Sequence, residues 1–284
     1  MTEEKDWDII IKPKPKLFHF GFKEIWAYRD LIILFVKRDI VSQYKQTILG
    51  PLWLIIQPIL TTVFFTIIFG KFAKFDTGGI PFPIFTLSGL TIWNFFAMSL
   101  NKTSSVFVNN ATIFGKVYFP RLTVPFSAII ANFITFLVQF AILLLLLFYY
   151  KFFNNYVWQI NYFGLLGLLL LLIIFSLFGL GAGLIVSSIT TKYRDLGFLV
   201  GFALQFVMYF SSVVFPLDKL GPKWGSIINL NPLIHLVHWF RAIIINAPMP
   251  NMSLLLYSTA FMIIVLFSGI LVFNRVEKSF MDTV

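Results

Sequence analysis

Apolar residues run through this chain in long blocks, not in the short alternating or periodic patterns that are typical of water-soluble proteins. Six of the blocks are long enough, or nearly long enough, to cross a bilayer as helices of about 20 residues. The predicted spans cover residues 48–70, 84–100, 124–150, 162–189, 198–215 and 253–273. The pattern therefore predicts an all-α integral membrane protein with six transmembrane helices.

A seventh apolar block, residues 227–245, contains many polar or helix-breaking residues. They are Asn229, Asn231, Pro232, His235, His238 and Arg241. Polar groups and broken helices at membrane depth are tolerated where protein covers them, but not where lipid does. We therefore predict a re-entrant helical hairpin in the outer region, residues 216–252, before the last span.

The segment before the first span, residues 24–46, has the spacing of an amphipathic helix. Its apolar side holds Ile33, Val36, Ile40 and Tyr44, and its basic side holds Arg38 and Lys45. This pattern is typical of a helix that lies in the membrane interface, with its basic side toward water and anionic headgroups. The alternative interpretation is a solvated helix without a partner.

Lysine and arginine are distributed unevenly over the predicted loops. If the N-terminus is cytoplasmic, sixteen of the 22 fall on the inner side and six on the outer side. Cytoplasmic loops are enriched in these residues, so both termini are predicted to be cytoplasmic, with residues 1–23 as a cytoplasmic segment. The charged start of the chain has no apolar core before a cleavage site, and no removable signal peptide is expected.

Composition supports a membrane protein and removes several other classes. The chain is 58% hydrophobic and 12% charged, with a mean hydropathy of +0.87, whereas soluble domains carry about 25% charge. Because the positive-inside distribution accounts for the net charge of +10, nucleic acid is not an expected partner. The lack of cysteine excludes disulfides and thiolate metal sites.

The sequence lacks the motifs of an ATPase, an ion-coupled carrier or an enzyme. It has no G-x-x-x-x-G-K-[ST] phosphate loop, and none of its twelve carboxylates lies in a predicted span. His235 and His238 are spaced i, i+3, but no cysteine or carboxylate lies nearby in sequence to complete a metal site. We therefore predict no catalytic residue, metal or cofactor in this chain, and any ATP on a separate subunit.

Aromatic residues make up 19% of the chain, with 36 Phe, 10 Tyr and 7 Trp. Those near span ends are expected to anchor at the membrane interface, and most others to face lipid or pack in the core. A subset that lined a pathway would offer sugar rings flat apolar faces without the tight polar binding that stalls a moving chain. This role is a hypothesis.

Short motifs occur in a fixed order relative to the predicted spans, from about Arg29 to the C-terminus. They are Arg38-Asp39-Ile40, Tyr44-Lys45-Gln46-Thr47, Leu49-Gly50-Pro51-Leu52-Trp53, Gln57-Pro58, Phe114-Gly115-Lys116-Val117-Tyr118-Phe119-Pro120-Arg121, Pro125, Tyr193-Arg194-Asp195, Phe210-Ser211-Ser212-Val213-Val214-Phe215-Pro216, Leu230-Asn231-Pro232-Leu233 and Arg241. In order and placement this set resembles the permeases of type-two ABC exporters for O-antigen, capsule-like polysaccharide or teichoic acid, the Wzm/TagG-like group.

The resemblance implies a homodimer with two ABC ATPase subunits docked beneath it in the bacterial inner membrane, with ATP and Mg on the ATPases. It also implies that residues 24–284 are one type-two ABC transmembrane domain. Within that domain residues 24–46 would be the interface helix, including Arg38, Asp39, Tyr44 and Lys45. The loop 101–121 would hold the coupling helix, with ATPase-coupling residues Lys116, Tyr118, Phe119, Pro120 and Arg121.

For the outer region, the resemblance implies short re-entrant helices that close the exit side of the pathway. Asn231 and Pro232 would break the hairpin, and Arg241 would hold a headgroup phosphate or a partner loop. These three residues form the predicted outer gate region.

The function predicted from these observations is the permease subunit of an ATP-driven exporter of lipid-linked polysaccharide. Two alternatives stay open. A type-two permease for a small hydrophobic drug or a lipid would need a closed apolar pocket in place of a continuous aromatic lining. A membrane-bound glycosyl or acyl transferase would need an acidic or histidine cluster at the membrane surface.

Overall fold

The computed structural model describes residues 22–45, 47–114, 116–117, 119–159, 162–191, 193, 195–217 and 228–280. Over these residues the chain forms ten α-helices joined by irregular segments, without a β-strand. The predicted all-α fold is confirmed. Nearly all of the predicted N-terminal segment, residues 1–23, lies outside the described residues.

The helices have the following bounds in chain order. They are α1 Phe22–Ala27, α2 Arg29–Tyr44, α3 Trp53–Phe65, α4 Phe82–Ser104, α5 Val106–Phe114, α6 Thr123–Phe153, α7 Tyr162–Thr190, α8 Leu196–Tyr209, α9 Pro232–Ile245 and α10 Met252–Phe280. A 3-10 turn, Gly50–Leu52, leads into α3, and a π-helical segment, Thr66–Phe72, extends it. Proline at the start of that turn suits a helix N-terminus, where no backbone donor is needed.

Among the residues that the structure describes, five helical segments are long and apolar enough to cross a membrane. They are Gly50–Phe72, Phe82–Ser104, Thr123–Phe153, Leu166–Thr190 and Met252–Val276, and the chain is a multi-pass membrane protein. The fifth predicted span, residues 198–215, corresponds to the shorter helix α8. At about 1.5 Å per residue, its 14 residues are shorter than a hydrocarbon core of about 30 Å. The count of six spans stays a prediction.

Helix α4 forms the centre of the bundle, and most of its residues are buried between α6 and α7. Polar side chains link it to α6: Asn132 donates from Nδ2 to the carbonyl oxygen of Phe95 and to Ser99 Oγ, both at 2.8 Å. Hydrogen bonds of this kind hold helices together where lipid supplies no hydrophobic driving force.

Glycines let α7 approach its two neighbours closely. A Cβ atom at Gly183 would lie 2.5 Å from Cβ of Thr103 on α4, and one at Gly181 would lie 2.6 Å from Cα of Leu266 on α10. Such contacts need a residue without a side chain, as is usual where membrane helices cross closely. Helix α7 therefore packs closely against α4 on one face and against α10 on another.

Helix α9 is enclosed by protein, with 12 of its 14 residues buried, and it packs against α4, α7 and α10. It lies within the predicted re-entrant region. Residues 218–227 of the outer region lie outside the described residues. Polar residues within an apolar segment are tolerated in a membrane where protein covers them, and the burial of α9 provides that cover.

The predicted interface helix is present as α1 and α2, and α2 packs along α6. Its buried side chains are Ile25 and Phe35, whereas Ile33, predicted on the apolar side, is 52% exposed. The periodicity that placed Ile33 on an apolar side does not separate contact with lipid from contact with protein, because an apolar side chain suits both equally well. That α2 lies in the membrane interface stays a prediction.

Candidate functional site

The predicted interface helix and the predicted coupling loop meet in a small aromatic cluster. Phe119 of the loop is buried, with its ring 5.8 Å from that of Phe35 on α2 and 5.6 Å from that of Phe114 on α5. The guanidinium carbon of Arg121 lies 5.5 Å from the centre of the Phe114 ring. The loop and α2 therefore share one packed contact, formed by Phe35, Phe114, Phe119 and Arg121, which we call the inner junction.

A polar contact reinforces this junction. Arg38 donates from Nη1 to Asn110 Oδ1 at 3.0 Å, pairs with Asp39 at 2.8 Å and lies over the ring of Phe35. Asn110 occupies a kink in α5, where φ is −117° and ψ is 15°. Its Nδ2 donates to the carbonyl of Val106 at 3.0 Å. The side chain of Arg38 is therefore in contact with protein and does not face only water.

Beyond this junction the loop presents a more exposed tip. Lys116 and Val117 are exposed, Pro120 is half-buried, and Tyr118 lies outside the described residues. On the interface helix, Lys45 is exposed, and the backbone of Tyr44 ends α2. A packed base and an exposed basic tip are what a loop needs if a partner is to push it as a rigid body.

At the other end of α4, Arg241 joins three elements. Its side chain is 2% exposed, and it donates from Nη1 to the carbonyl of Ser212 at 2.6 Å. Its Nη2 donates to the carbonyls of Val213 at 2.7 Å and Phe85 at 3.0 Å. A buried cation in a membrane protein requires such acceptors. These carbonyls enclose the guanidinium, and the role of Arg241 in holding a headgroup phosphate or a partner loop stays a prediction.

Residues 210–215, which we call the outer turn, follow α8 and are fixed by α9. Asn231 caps α9, since its Oδ1 accepts from the backbone N–H of Leu233 at 3.0 Å. Its Nδ2 donates to the carbonyl of Phe210 at 2.8 Å and to Ser211 Oγ at 2.9 Å. Ser212 adopts a left-handed conformation with φ of 54°. Pro232, the first residue of α9, begins the helix and breaks nothing within it.

The C-terminal end of α9 is capped by the loop between α6 and α7. Trp158 donates from Nε1 to the carbonyl of Ile244 at 2.7 Å, and Tyr156 donates from its hydroxyl to that of Ile245 at 2.8 Å. Burial raises the pKa of Tyr156, which keeps its hydroxyl protonated as a donor. These bonds satisfy carbonyls that a helix end otherwise leaves without partners.

Histidines do not assemble a catalytic or metal centre in the described part of the chain. His235 is buried, and its Nε2 lies 2.9 Å from the carbonyl of Asn229 and so carries the proton. Among the residues that the structure describes, no group of three or more His, Cys, Asp or Glu side chains is placed to hold a metal.

Helix α8 displays a stripe of phenylalanines that are spaced four residues apart. This phenylalanine stripe consists of Phe198, Phe202, Phe206 and Phe210. Its exposed fraction falls from 80% at Phe198 to 52% at Phe210, and Leu204 is the buried residue of the helix. The exposed Gln205 lies within the same region.

The first span is also largely exposed, and its outer end meets the outer turn. Phe215 lies 5.2 Å from Phe69 and 5.4 Å from Phe75, measured between ring centres. Trp53 and Phe64 are exposed on the first span, together with the polar Gln57. Two poorly covered helices therefore converge at the outer side of the molecule.

An apolar crevice of about 360 Å³ separates α8 from the rest of the bundle. Its walls come from α4, α7, α9 and α10 on one side and from α8 on the other. Lining residues include Leu100, Phe178, Val186, Val200, Ala203 and Phe261. The crevice is open at the side and is not an enclosed cavity.

The family model for ABC-2 type transporters matches residues 30–245 of this sequence, which is most of the chain. The chain belongs to the ABC-2 type transporter family. The matched region begins in α2 and ends with α9, so it includes the inner junction, the phenylalanine stripe and the Arg241 contacts.

Individual relatives of this ABC-2 family member are polysaccharide export proteins. It is 26% identical over 255 residues to an O-antigen export system permease protein RfbA of Klebsiella pneumoniae, covering 89% of this chain and 94% of that protein. It is 24% identical over 265 residues to RfbA of Myxococcus xanthus, covering 92% and 98%. It is 26% identical over 247 residues to the polysialic acid transport protein KpsM of Escherichia coli, covering 87% and 93%.

The structure brings Arg38, Asp39, Phe119 and Arg121 of this ABC-2 chain to one junction, and Asn231 and Arg241 to the outer turn. Sequence reasoning missed Asn110, the partner of Arg38, and Gly89, which faces Arg241. It also missed Tyr156 as a cap of α9. An Asn in a loop, a Gly in a span and a Tyr near a span end are individually common, so no sequence signal marked them.

Proposed function

We propose that this chain is the permease subunit of an ATP-driven exporter that moves lipid-linked polysaccharide, such as O-antigen, capsule-like polysaccharide or teichoic acid, across the bacterial inner membrane. One observation carries the proposal. The chain aligns along at least 87% of its length with relatives that are named for the export of O-antigen or the transport of polysialic acid. Both termini would be cytoplasmic, as the distribution of Lys and Arg predicts.

The pathway would run between two copies of the chain. In this homodimer the exposed faces of the first span and α8 would face each other, with the phenylalanine stripe toward the glycan. Aromatic faces contact sugar rings without fixing them, and the exposed Gln57 and Gln205 add few polar contacts. A chain of sugars would therefore slide along this surface without stopping at a tight site.

Energy would enter at the inner junction from two ATPase subunits that hold ATP and Mg. The ATPases would contact the tip of the loop, with Lys116, Tyr118 and Pro120 nearest to them. Phe119 and Arg121, through Phe35 and Phe114, would pass the movement to α2. The bond between Arg38 and Asn110 would make the loop and the interface helix move together.

The apolar crevice is the feature that a permease for a hydrophobic drug or a lipid would use. It is open at the side, whereas a drug site of that kind would be a closed pocket. The relatives reported above are polysaccharide export proteins. These two observations favour polysaccharide export over a drug or lipid permease.

The test is co-purification of this chain with the P-loop ATPase that is encoded beside it, followed by ATP hydrolysis in lipid nanodiscs with and without lipid-linked glycan. We expect a stable complex in which glycan changes the rate of hydrolysis. A chain that purifies without any ATPase, or hydrolysis that responds to a hydrophobic drug but not to glycan, would contradict the proposal.

A substitution at the loop tests the coupling route. Arg121→Glu places a negative charge where a positive one lies over Phe114, and we expect export to be lost while membrane insertion stays normal. Lys74→Glu, on the predicted outer side, is the matched control and should export normally. Normal export by Arg121→Glu would remove Arg121 from the coupling route.

A further inference from the structure

We propose that α8 moves as a lever about a fixed outer end. The outer turn stays bound to α4 and α9 through Arg241 and Asn231, while the inner end of α8 swings across the apolar crevice. The inference rests on the proposed function, because it concerns the helix that carries the phenylalanine stripe. It makes Arg241 a positioning residue for that helix.

The outer end of α8 is held by bonds from Arg241 that are buried and cannot be exchanged for bonds to water. The Arg241 side chain is 2% exposed and donates to carbonyls of Ser212, Val213 and Phe85 at 2.6 to 3.0 Å. Asn231 adds two further donated bonds, to Phe210 and Ser211. In a dry environment, separated donors and acceptors have no replacement partners. Movement that kept this end fixed would leave all of these bonds intact.

The packing around Arg241 leaves no room for the outer turn to slide. At Gly89 on α4, an added Cβ would lie 2.2 Å from the carbonyl oxygen of Val213 and 2.5 Å from Arg241 Nη2. The side chains of Val213 and Val214 are almost fully buried. Close-packed interiors resist displacement, so the outer turn is the stationary point of the helix.

The inner end of α8 has the opposite environment. Exposure along the phenylalanine stripe is greatest at Phe198 and falls toward the outer turn. Gly197 and Gly201 have nothing within 4 Å of an added Cβ. Val200 lines the crevice together with Leu100 on α4 and Val186 on α7, and the crevice continues along α8 as far as Val207, near Asn231. In a membrane such a gap is filled by fluid hydrocarbon, which is as apolar as the side chains and is easily displaced.

A lever of this form changes the pathway most at its cytoplasmic end. Widening there would admit the glycan, while the outer end of the stripe would keep its position. The re-entrant region would then serve as the support for α8, in addition to any role in closing the exit.

Engineered cysteine cross-links test the lever directly, because the chain has no cysteine of its own. The outer pair is Ser211→Cys with Asn231→Cys, whose native side chains are in contact at 2.9 Å. The inner pair is Leu100→Cys with Val200→Cys, linked across the crevice by a short bifunctional thiol reagent. Each single-cysteine variant is the control for its pair.

With the transporter and its ATPase in proteoliposomes, the outer disulfide should leave glycan export equal to that of its single-cysteine controls. The inner cross-link should abolish export, and cleavage of the cross-link should restore it. Loss of export on closing the outer disulfide, reversed by reductant, would overturn the proposal. Full export with the inner pair cross-linked would also overturn it.

A second measurement keeps both outer contacts intact and does not depend on glycan. Spin labels at the exposed Leu199 and at the exposed Phe210 are each paired with a label at the exposed Ile264 on α10, in one copy per dimer. ATP should change the distance to Leu199 and leave the distance to Phe210 unchanged. A larger change at Phe210 would refute the lever. Because this result needs no export, it separates failure of the lever from failure of the exporter proposal.

Discussion

Gly89 shows how one missing side chain permits the Arg241 contacts. Between Ser88 and Leu90 on α4, it lets the carbonyl of Val213 and the guanidinium of Arg241 approach the helix backbone. No larger residue fits there without moving backbone atoms, since the nearest obstacle is a carbonyl and not the end of a flexible side chain. The glycine is required by close approach and not by an unusual backbone angle.

Gly89→Ala is therefore expected to destabilise the protein. Forcing a methyl group into a packed site costs about 1 to 3 kcal/mol, which should lower both the membrane level and the thermal unfolding temperature in detergent. Gly201→Ala on α8, where nothing lies within 4 Å, is the matched control and should unfold at the temperature of the unchanged protein or slightly above it, because alanine favours a helix more than glycine does. Equal unfolding temperatures for the two variants would contradict the account of this site.

Tyr156 provides a second prediction at a single residue. Removing its hydroxyl in Tyr156→Phe leaves the carbonyl of Ile245 without this donor and should cost about 1 kcal/mol. Tyr149→Phe, on an exposed ring of α6, is the control and should have little effect. The measurement is thermal unfolding of both variants in the same detergent.

The same residue predicts a dependence on alkaline pH. Burial raises the pKa of Tyr156, so the contribution of its neutral form is fully present below the pKa of the unfolded chain, about 10. It is lost as pH rises through the higher pKa of the folded protein. The difference in stability between unchanged protein and Tyr156→Phe should therefore disappear at high pH. A difference that did not shrink as pH rises would contradict the assignment of this effect to the protonated hydroxyl and its bond to Ile245.

Like the first span, α8 displays most of its large side chains instead of packing them against the bundle. Four phenylalanines with a spacing of four residues form a continuous exposed stripe, since residues four apart lie on the same face of a helix. Lipid would accept such a stripe, and so would a pathway between two copies. The two possibilities differ in what happens when the aromatic rings are removed.

If the stripe contacts glycan, Phe202→Ala with Phe206→Ala should reduce export while the amount of protein in the membrane stays normal. The loss is expected because the aromatic faces that contact sugar rings are removed. Phe267→Ala, on the exposed side of α10, is the control for removing an aromatic ring and should export normally. Unchanged export by the double variant would assign the stripe to lipid.

For the whole molecule, the orientation in the membrane follows from charge and is directly testable. Single cysteines replace Lys116, in the predicted coupling loop, and Lys71, near the outer end of the first span; both lysines are exposed. In intact cells a membrane-impermeant thiol reagent should label Lys71→Cys, and Lys116→Cys only after the membrane is opened. The reverse pattern would overturn the assignment of both termini to the cytoplasm.

Sequence determined the class of this protein because transfer into lipid selects for long apolar blocks, wherever the helices later pack. The ends of α6 and α7 lie close to the predicted bounds for this reason, and the ordered motifs indicated the family. α8 was predicted too long, since the composition of residues 210–215 gives no sign that the chain leaves the helix and turns toward Arg241.

Only the tertiary structure decided which apolar faces meet protein and which meet lipid. The burial of Phe35, the contact of Arg38 with Asn110, and the enclosure of Arg241 by carbonyls all depend on helices that are distant in sequence. The physical reason is that lipid and protein interiors are equally apolar. Hydropathy therefore locates a helix in the membrane, whereas close packing and paired polar groups determine its neighbours.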